Sequence, residues 1–318
     1  MEYKKKIKNI IYNNLNNKII DMLKLFNIKI KYYDIGASGG LQPRADNFIE
    51  VLNPIFIEPD TSAFSELEEK GYNAINCALW SEEKEKTFRI AKIQGCSSIY
   101  EPNYEFLKKY KDPDRYQIKE EIKMNCNTLD NIIEKDNESY FMKLDTQGSE
   151  YEILKGGKNV INNSIGFEIE IEFKEIYLNQ PLFSEVNQLL LSNNFILLDF
   201  LNLCKWERDN HRNFGEIIFG DVLYLKSPEY ILENTDLSNE EDYANLIRYV
   251  IILAMYKRLD LLKYLKKNLT NDYKIVNCIE DIVEILDKRF KLLKYVQNSF
   301  VDRIFRFLIN DSKSSLLY

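Results

Sequence analysis

The sequence predicts an α/β protein with a mostly parallel sheet that ends in an antiparallel hairpin, with a helix before it and a helical bundle after it. Three observations carry this. Apolar runs suited to buried parallel strands fall at 31–35, 54–58, 72–77, 139–145 and 166–173. Helical segments lie between most of them, which implies right-handed strand–helix–strand crossovers. All 11 glycines lie between Gly36 and Gly220, and the last of 7 prolines is Pro228, so turn chemistry is confined to the middle of the chain. The expected division is therefore a helix over 1–30, an α/β domain over 31–228 and a helical domain over 236–318.

Taken in order, KKKIKNIIYNNLNNKIIDMLKLF is a basic amphipathic helix. It is expected to cover its own domain, with peripheral contact at a membrane surface as the lesser reading. A helix starts near Asp60 and stops at Gly71, with an acidic first turn and a glycine past its end. Another runs from 146–149 to Gly156 and Gly157, and a third covers 182–194 after Pro181. The stretch 79–126 is less regular, with extra strands at 86–92 and 119–126 and a short helix at 100–112. Segments 195–203 and 216–225 pair across the polar loop WERDNHRNFGE as the terminal hairpin. SNEE at 238–241 reads as a capping box with Ser238 as N-cap, and Leu246, Val250 and Leu253 follow at helical spacing. Further helices are expected at about 275–295 and 299–310. This bundle is expected to pack on the sheet domain or on a partner chain, which makes it the candidate surface for a homo-oligomer.

A net charge of −7 supplies no global basic field for nucleic acid. Five cysteines stand without a C-x-x-C pair and beside a single histidine, which excludes the familiar zinc spacings and fits reduced thiols. The longest apolar run, Tyr249 to Tyr256, is too short to span a bilayer, and the N-terminus lacks a signal-peptide core. A cytoplasmic protein is expected.

Chemistry concentrates where strands end. Asp34 closes the first strand, and Gly36, Ala37, Ser38, Gly39 and Gly40 turn the chain. Ligands of open parallel sheets bind beyond such ends, where small residues expose backbone amides. Glu58 closes the second strand about twenty residues on, the spacing of an acid that accepts from both ribose hydroxyls of a nucleoside. The glycines run G-x-x-G-G, with Ser38 where a dinucleotide site needs its second glycine, so NAD fits poorly. S-adenosylmethionine fits better: Asp34 suits its ammonium, and the terminal hairpin favours the methyltransferase form of the sheet.

DIGASGG, FIEPD, NCALW, CSSIYEPN, TLDNII, YFMKLDTQGSEYEILKGG and IEIEFKEIYLNQPLF, in that order, resemble the FkbM-type methyltransferases over about 32–225. The resemblance implies a Rossmann-like class I methyltransferase fold and transfer of a methyl group from S-adenosylmethionine, usually to a hydroxyl oxygen. Such enzymes often accompany surface polysaccharide or natural-product genes. By position, Asp34, Gly36, Ala37, Ser38 and Gly40 would line the methionine side, and Glu58, with Pro59 beside it, would hold the ribose. Asn76, Cys77 and Ala78 would lie near the adenine, and Asp145, Gln147 and Glu150 beside the sulfonium. The helices past about 235 lie outside the resemblance.

A methyltransferase must align donor and acceptor, and a hydroxyl acceptor also needs its proton removed. Asp145, ending a central strand, is the first candidate, with N-capping as its bland alternative. FEIEIEF puts Glu168, Glu170 and Glu172 on one face of a strand that should be buried on both. Glu168 is expected to ion-pair with a covering helix, whereas Glu170 and Glu172 are candidates to reach the cleft. A divalent cation held there with Asp145 is considered and not favoured. His211, in the hairpin loop, is a further candidate base, although a lone loop histidine is more often solvated. Lys143 shares a face with Asp145, and Arg44 follows the glycine turn without a single preferred role. The leading expectation is a methyltransferase acting on a hydroxyl of a saccharide or related small molecule, with no metal site. Its rival is a catalytically silent module that works through its helical tail, and an NAD enzyme is the weakest reading.

Overall fold

Strand order follows from which segments can be buried on both faces. A computed structural model of the protein describes residues 14–37, 39–209, 214–269 and 272–297, with side chains through 291. Residues 28–252 form one unit, and residues 14–27 together with those from 253 onward form a second.

The larger unit holds a seven-stranded sheet made of β1 (Ile30–Ile35), β2 (Leu52–Ile57), β3 (Asn73–Ile75), β7 (Tyr140–Leu144), β8 (Ser164–Glu172), β9 (Phe195–Trp206) and β10 (Glu216–Lys226). Their order is β3-β2-β1-β7-β8-β10-β9. β1, β2, β3, β7 and β8 run parallel, whereas β10 is antiparallel to both β8 and β9. Three further strands, β4 (Ala78–Leu79), β5 (Lys84–Ala91) and β6 (Ile118–Asn127), form a separate sheet in the order β4-β6-β5.

The helices of this unit are α2 (Pro43–Asp46), α3 (Thr61–Glu69), α4 (Tyr104–Leu107), α5 (Leu129–Ile132), α6 (Glu150–Lys155), α7 (Lys158–Asn163), α8 (Phe183–Leu191), α9 (Pro228–Glu233) and most of α10 (Glu240–Met255). On one face of the sheet Tyr33, Ile35, Ile57, Met142, Leu144, Phe167 and Ile169 pack with Ile153 and Leu154 of α6, Val160 of α7 and Leu190 of α8. On the other face Phe56 packs with Ala37 and with Leu67 of α3. Each such large side chain contributes roughly 1.5–3 kcal/mol by leaving water. A one-residue slip would turn that whole set outward, so burial fixes the register.

Several expectations change in the structure. The strand read at 72–77 stops at Ile75, because the Asn76 amide turns away to donate to the carbonyls of Glu58 (2.9 Å) and Pro59 (3.2 Å). The chain then leaves for the second sheet, which also takes the two extra strands. The helix read at 100–112 shrinks to α4: Asn103 caps it, and left-handed Asp112 followed by Pro113 redirects the chain. In the capping box, Asn239 replaces Ser238 as the cap, accepting from the amides of Glu241 (2.9 Å) and Asp242 (3.1 Å). Ser238 instead donates to Asp236 at 2.7 Å.

In the second unit, α1 (14–24) and α12 (Tyr273–Gln297) are tied by Arg289, which donates to Asn16 at 2.9 Å. α11 (Leu259–Asn268), which the sequence reading lacks, sends Lys266 to Glu280 of α12 at 2.5 Å. The helix expected at 299–310 lies outside the described residues, as do Ser38 and His211.

Candidate active site

A cavity of about 370 Å³ opens at the carboxyl ends of β1, β2 and β7. Among the residues singled out in the sequence, Gly36, Glu58, Pro59, Cys77, Ala78, Asp145, Gln147 and Glu170 line it. Its apolar wall is Ile57, Leu79, Phe88, Ile99 and Ile153, a surface suited to a flat aromatic ring.

The first turn needs its glycine for a steric reason. Gly36 sits at φ +79°, and a Cβ there would lie 2.0 Å from the carbonyl oxygen of Asp145. The ends of β1 and β7 therefore approach as closely as backbone allows, locked by the Asp145 amide donating to the Ile35 carbonyl at 3.0 Å.

Glu58 is 5% exposed. One of its oxygens accepts the Asp60 amide at 2.9 Å, and the other has no hydrogen-bond partner among the described residues. Burial pushes its carboxyl up to about 7, against the pull of that amide. Asp60 in turn caps α3 through the amides of Ser62 and Ala63.

The sequence reading puts Asp34 on the methionine side; in the structure Asp34 does not line the cavity. Strand alternation points it to the face opposite Ile35, where its register partner is Lys143 and the two side chains meet at 3.4 Å. Burial lifts its carboxyl to about 6, even with Lys143 opposing. Lys143 also reaches Asp145 at 3.4 Å. Burial works against its charge, but Asp34, Asp145 and Glu168 together hold its pKa raised. Ala37, 3% exposed, is packed against Phe56 and Leu67, and Gly40 abuts the Tyr72 ring, so neither lines the cavity. Asn76 also stays outside it and braces the backbone of Glu58 and Pro59.

The three glutamates of β8 separate. Glu168 meets Arg44 of α2 at 2.6 Å. Glu170 reaches the cavity, where it accepts from the Gln147 amide at 2.5 Å. Glu172, 3% exposed, does not line the cavity and is buried further along the strand. Burial, then Asp145 and Glu172, push Glu170 well above the usual carboxylate range. Burial, then Glu150 and Asp145, do the same to Glu172. Glu150 is buried, with its Oε1 accepting the amide (2.5 Å) and hydroxyl (2.9 Å) of Thr146, and burial raises it to about 7. Among the described residues no group of three or more His, Cys, Asp or Glu side chains is arranged to hold a metal ion.

Sequence reasoning missed the far wall: Phe88 of β5 and the loop residues Gln94, Gly95, Ser97 and Ile99. The CSSIYEPN block is the available signal, but nothing in it reveals that the second sheet folds over the cavity. Ser149 escaped notice too. It lines the cavity, 2% exposed, and its hydroxyl has no partner among the described residues. An unpaired buried hydroxyl and a half-satisfied Glu58 are groups left for a polar ligand to complete.

No curated protein matches the chain. Among solved structures, magnesium protoporphyrin IX methyltransferase from Synechocystis PCC 6803 is 7% identical with a TM-score of 0.33, covering 69% of this chain and 81% of that one. The M. capricolum TrmK complex with S-adenosylhomocysteine is 12% identical with a TM-score of 0.29, covering 85% and 95%. The strand order, with β10 antiparallel between β8 and β9, is that of a class I methyltransferase sheet. The family model of the methyltransferase FkbM domain matches residues 34–197, so the chain belongs to the FkbM family of S-adenosylmethionine-dependent methyltransferases.

Proposed function

We propose that the protein transfers a methyl group to a hydroxyl oxygen of a saccharide or saccharide precursor. The observation that carries this is Glu170, a carboxylate at the cavity whose surroundings raise its proton affinity, held beside Asp145. A sugar hydroxyl needs such a proton acceptor, because it ionises far above neutral pH.

The residues present fit S-adenosylmethionine. In this reading Glu58 accepts from the ribose hydroxyls, and the apolar wall of Leu79, Phe88, Ile99 and Ile153 takes the adenine. Cys77 and Ala78 border the ring, and Gly36 with the loop at 145–149 faces the amino-acid arm. When bound, the cofactor supplies a methyl carbon activated by its sulfonium. With it in place the acceptor oxygen would take that methyl group, and the electron pair of the C–S bond would stay with sulfur. The hydroxyl proton would pass to Asp145, or to Glu170 once that carboxyl has released its own proton. The protein's part is alignment, exclusion of water and removal of that proton.

Calorimetry with S-adenosylmethionine and S-adenosylhomocysteine tests the cofactor assignment, and absence of binding by the full-length protein would end it. Mass spectrometry of cell-surface glycans with and without the gene tests the acceptor, through loss of one methyl group. The helices beyond 235, outside the family match, support a second role as an interaction surface for another copy of the chain. A cytoplasmic location belongs to the same reading.

A further inference from the structure

Gln147 is held in a way that its sequence position does not explain. Its backbone is left-handed (φ +56°), a conformation that glutamine rarely adopts and that persists only where surroundings enforce it. Its contacts do so. Its amide nitrogen donates to Asp145 Oδ1 at 3.0 Å and to Glu170 Oε2 at 2.5 Å. Its amide oxygen accepts the hydroxyl of Tyr177 at 3.2 Å, and its backbone carbonyl accepts the hydroxyl of Ser98 at 2.7 Å. Both amide hydrogens are used, so the side chain has no donor left for a ligand.

We infer that Gln147 is a positioning residue: its amide fixes the Asp145 and Glu170 carboxyl groups side by side at the cavity, and that acidic surface favours the methyl donor, with its sulfonium charge, over the demethylated product that lacks it. This rests on the S-adenosylmethionine reading of the cavity. Gln147 acts through the two carboxylates and touches no reacting atom.

The electrostatics agree with the geometry. Two carboxylates side by side resist simultaneous ionisation, and a shared donor opposes that resistance. Glu170 also faces Glu172 on its own strand, Glu150 of α6, Asp221 of β10 and the Tyr116 and Tyr177 rings. Asp145 faces Lys143, Asp34, Glu58, Glu150, Glu172 and Asp221. Lys143 is the one cation among these groups, and it is shared with Asp34. Without the Gln147 amide the two carboxyl groups would lose the contact that holds them together at the cavity. Release of product would then no longer be favoured over release of substrate.

The test uses the full-length protein with Gln147→Gly and Gln147→Asn. Glycine takes the left-handed backbone without strain and asparagine tolerates it, so both variants are expected to fold; glycine removes the donor, and asparagine, one methylene shorter, draws its amide back from the two acids. Affinities for S-adenosylmethionine and S-adenosylhomocysteine are measured across pH. Their ratio cancels Glu58 and every other group that both ligands meet alike. The ratio at neutral pH is expected to fall about tenfold, the scale of one charge-assisted hydrogen bond. Infrared difference spectra follow the protonated carboxyl band that disappears in Glu170→Gln. The midpoint of that band is expected to rise in both Gln147 variants. An unchanged ratio together with an unchanged midpoint would overturn the clamp. If neither ligand bound even the native protein, the cavity reading would fall and the ligand preference with it. The infrared midpoint would still decide whether the Gln147 amide acts on Glu170.

Discussion

The guanidinium of Arg44 donates to the carboxylate of Glu168 at 2.6 Å, across 124 positions of sequence. Glu168 is 3% exposed, in the middle of a strand covered on both faces. The pair explains how β8 can carry an acid there at all.

Arg44→Met should remove the guanidinium that meets that carboxylate, leaving it to face Lys143. The expected loss is about 1–3 kcal/mol in denaturant unfolding, below the full scale for a buried pair because Arg44 is one-third exposed. Adding Glu168→Gln should recover most of it. If the two changes were additive, the pair would not be coupled.

Gly36→Ala would force a methyl group to within 2.0 Å of the Asp145 carbonyl at a left-handed position. A loss of at least about 2 kcal/mol is expected, since both the conformation and the space oppose it. Thermal unfolding with and without S-adenosylmethionine checks this. The cofactor should rescue little of the loss, because the turn itself is deformed.

Glu58→Gln should weaken S-adenosylmethionine binding about tenfold or more while leaving the fold intact or firmer, since a buried ionisable group is removed. In the native protein, donors arriving at Glu58 favour its ionised form. Binding should therefore release a proton, and affinity should rise as pH climbs through about 7. Calorimetry in buffers of different ionisation enthalpy reads that proton, and its signal should vanish in the variant.

The stability of the whole chain should fall with rising pH. Asp34 and Asp221 are lifted to about 6 and Glu58 and Glu150 to about 7, with Glu170 and Glu172 raised as well. These groups hold protons in the folded state that the unfolded chain has already released. For Asp34, Asp221, Glu58 and Glu150 that contribution is complete below the ordinary carboxylate range and is lost as pH rises through about 6 to 7. One carboxyl moved from its ordinary value to about 7 corresponds to roughly 3 kcal/mol. A melting temperature lower at about pH 8 than at about pH 5 is expected, and the opposite trend would refute the burial of this group of acids.

The sheet and the ligand-bearing turns are legible in the sequence because their signals are local. Apolar runs mark β1, β2, β7 and β8, and Gly36 and Glu58 stand at fixed spacing beyond them. What stays hidden depends on contacts between distant segments. That Asp34 faces Lys143, and not the cavity, is decided by the β1–β7 register. That Gln147 bridges two acids requires β8 beside β7. Phe88 becomes part of the cavity wall because β4 and β6 join β5 into a sheet of their own.

The position of β10 carries a practical warning. The family match stops at residue 197, just inside β9, yet β10 fills the gap between β8 and β9. A fragment cut at the matched boundary would keep β8 and discard the strand that completes it. The Gly166–Glu172 edge would then stand open, its amides and carbonyls unsatisfied, ready to recruit the same edge of another molecule. Expression trials on such a fragment should yield aggregate, and a soluble product begins with a boundary drawn beyond Lys226.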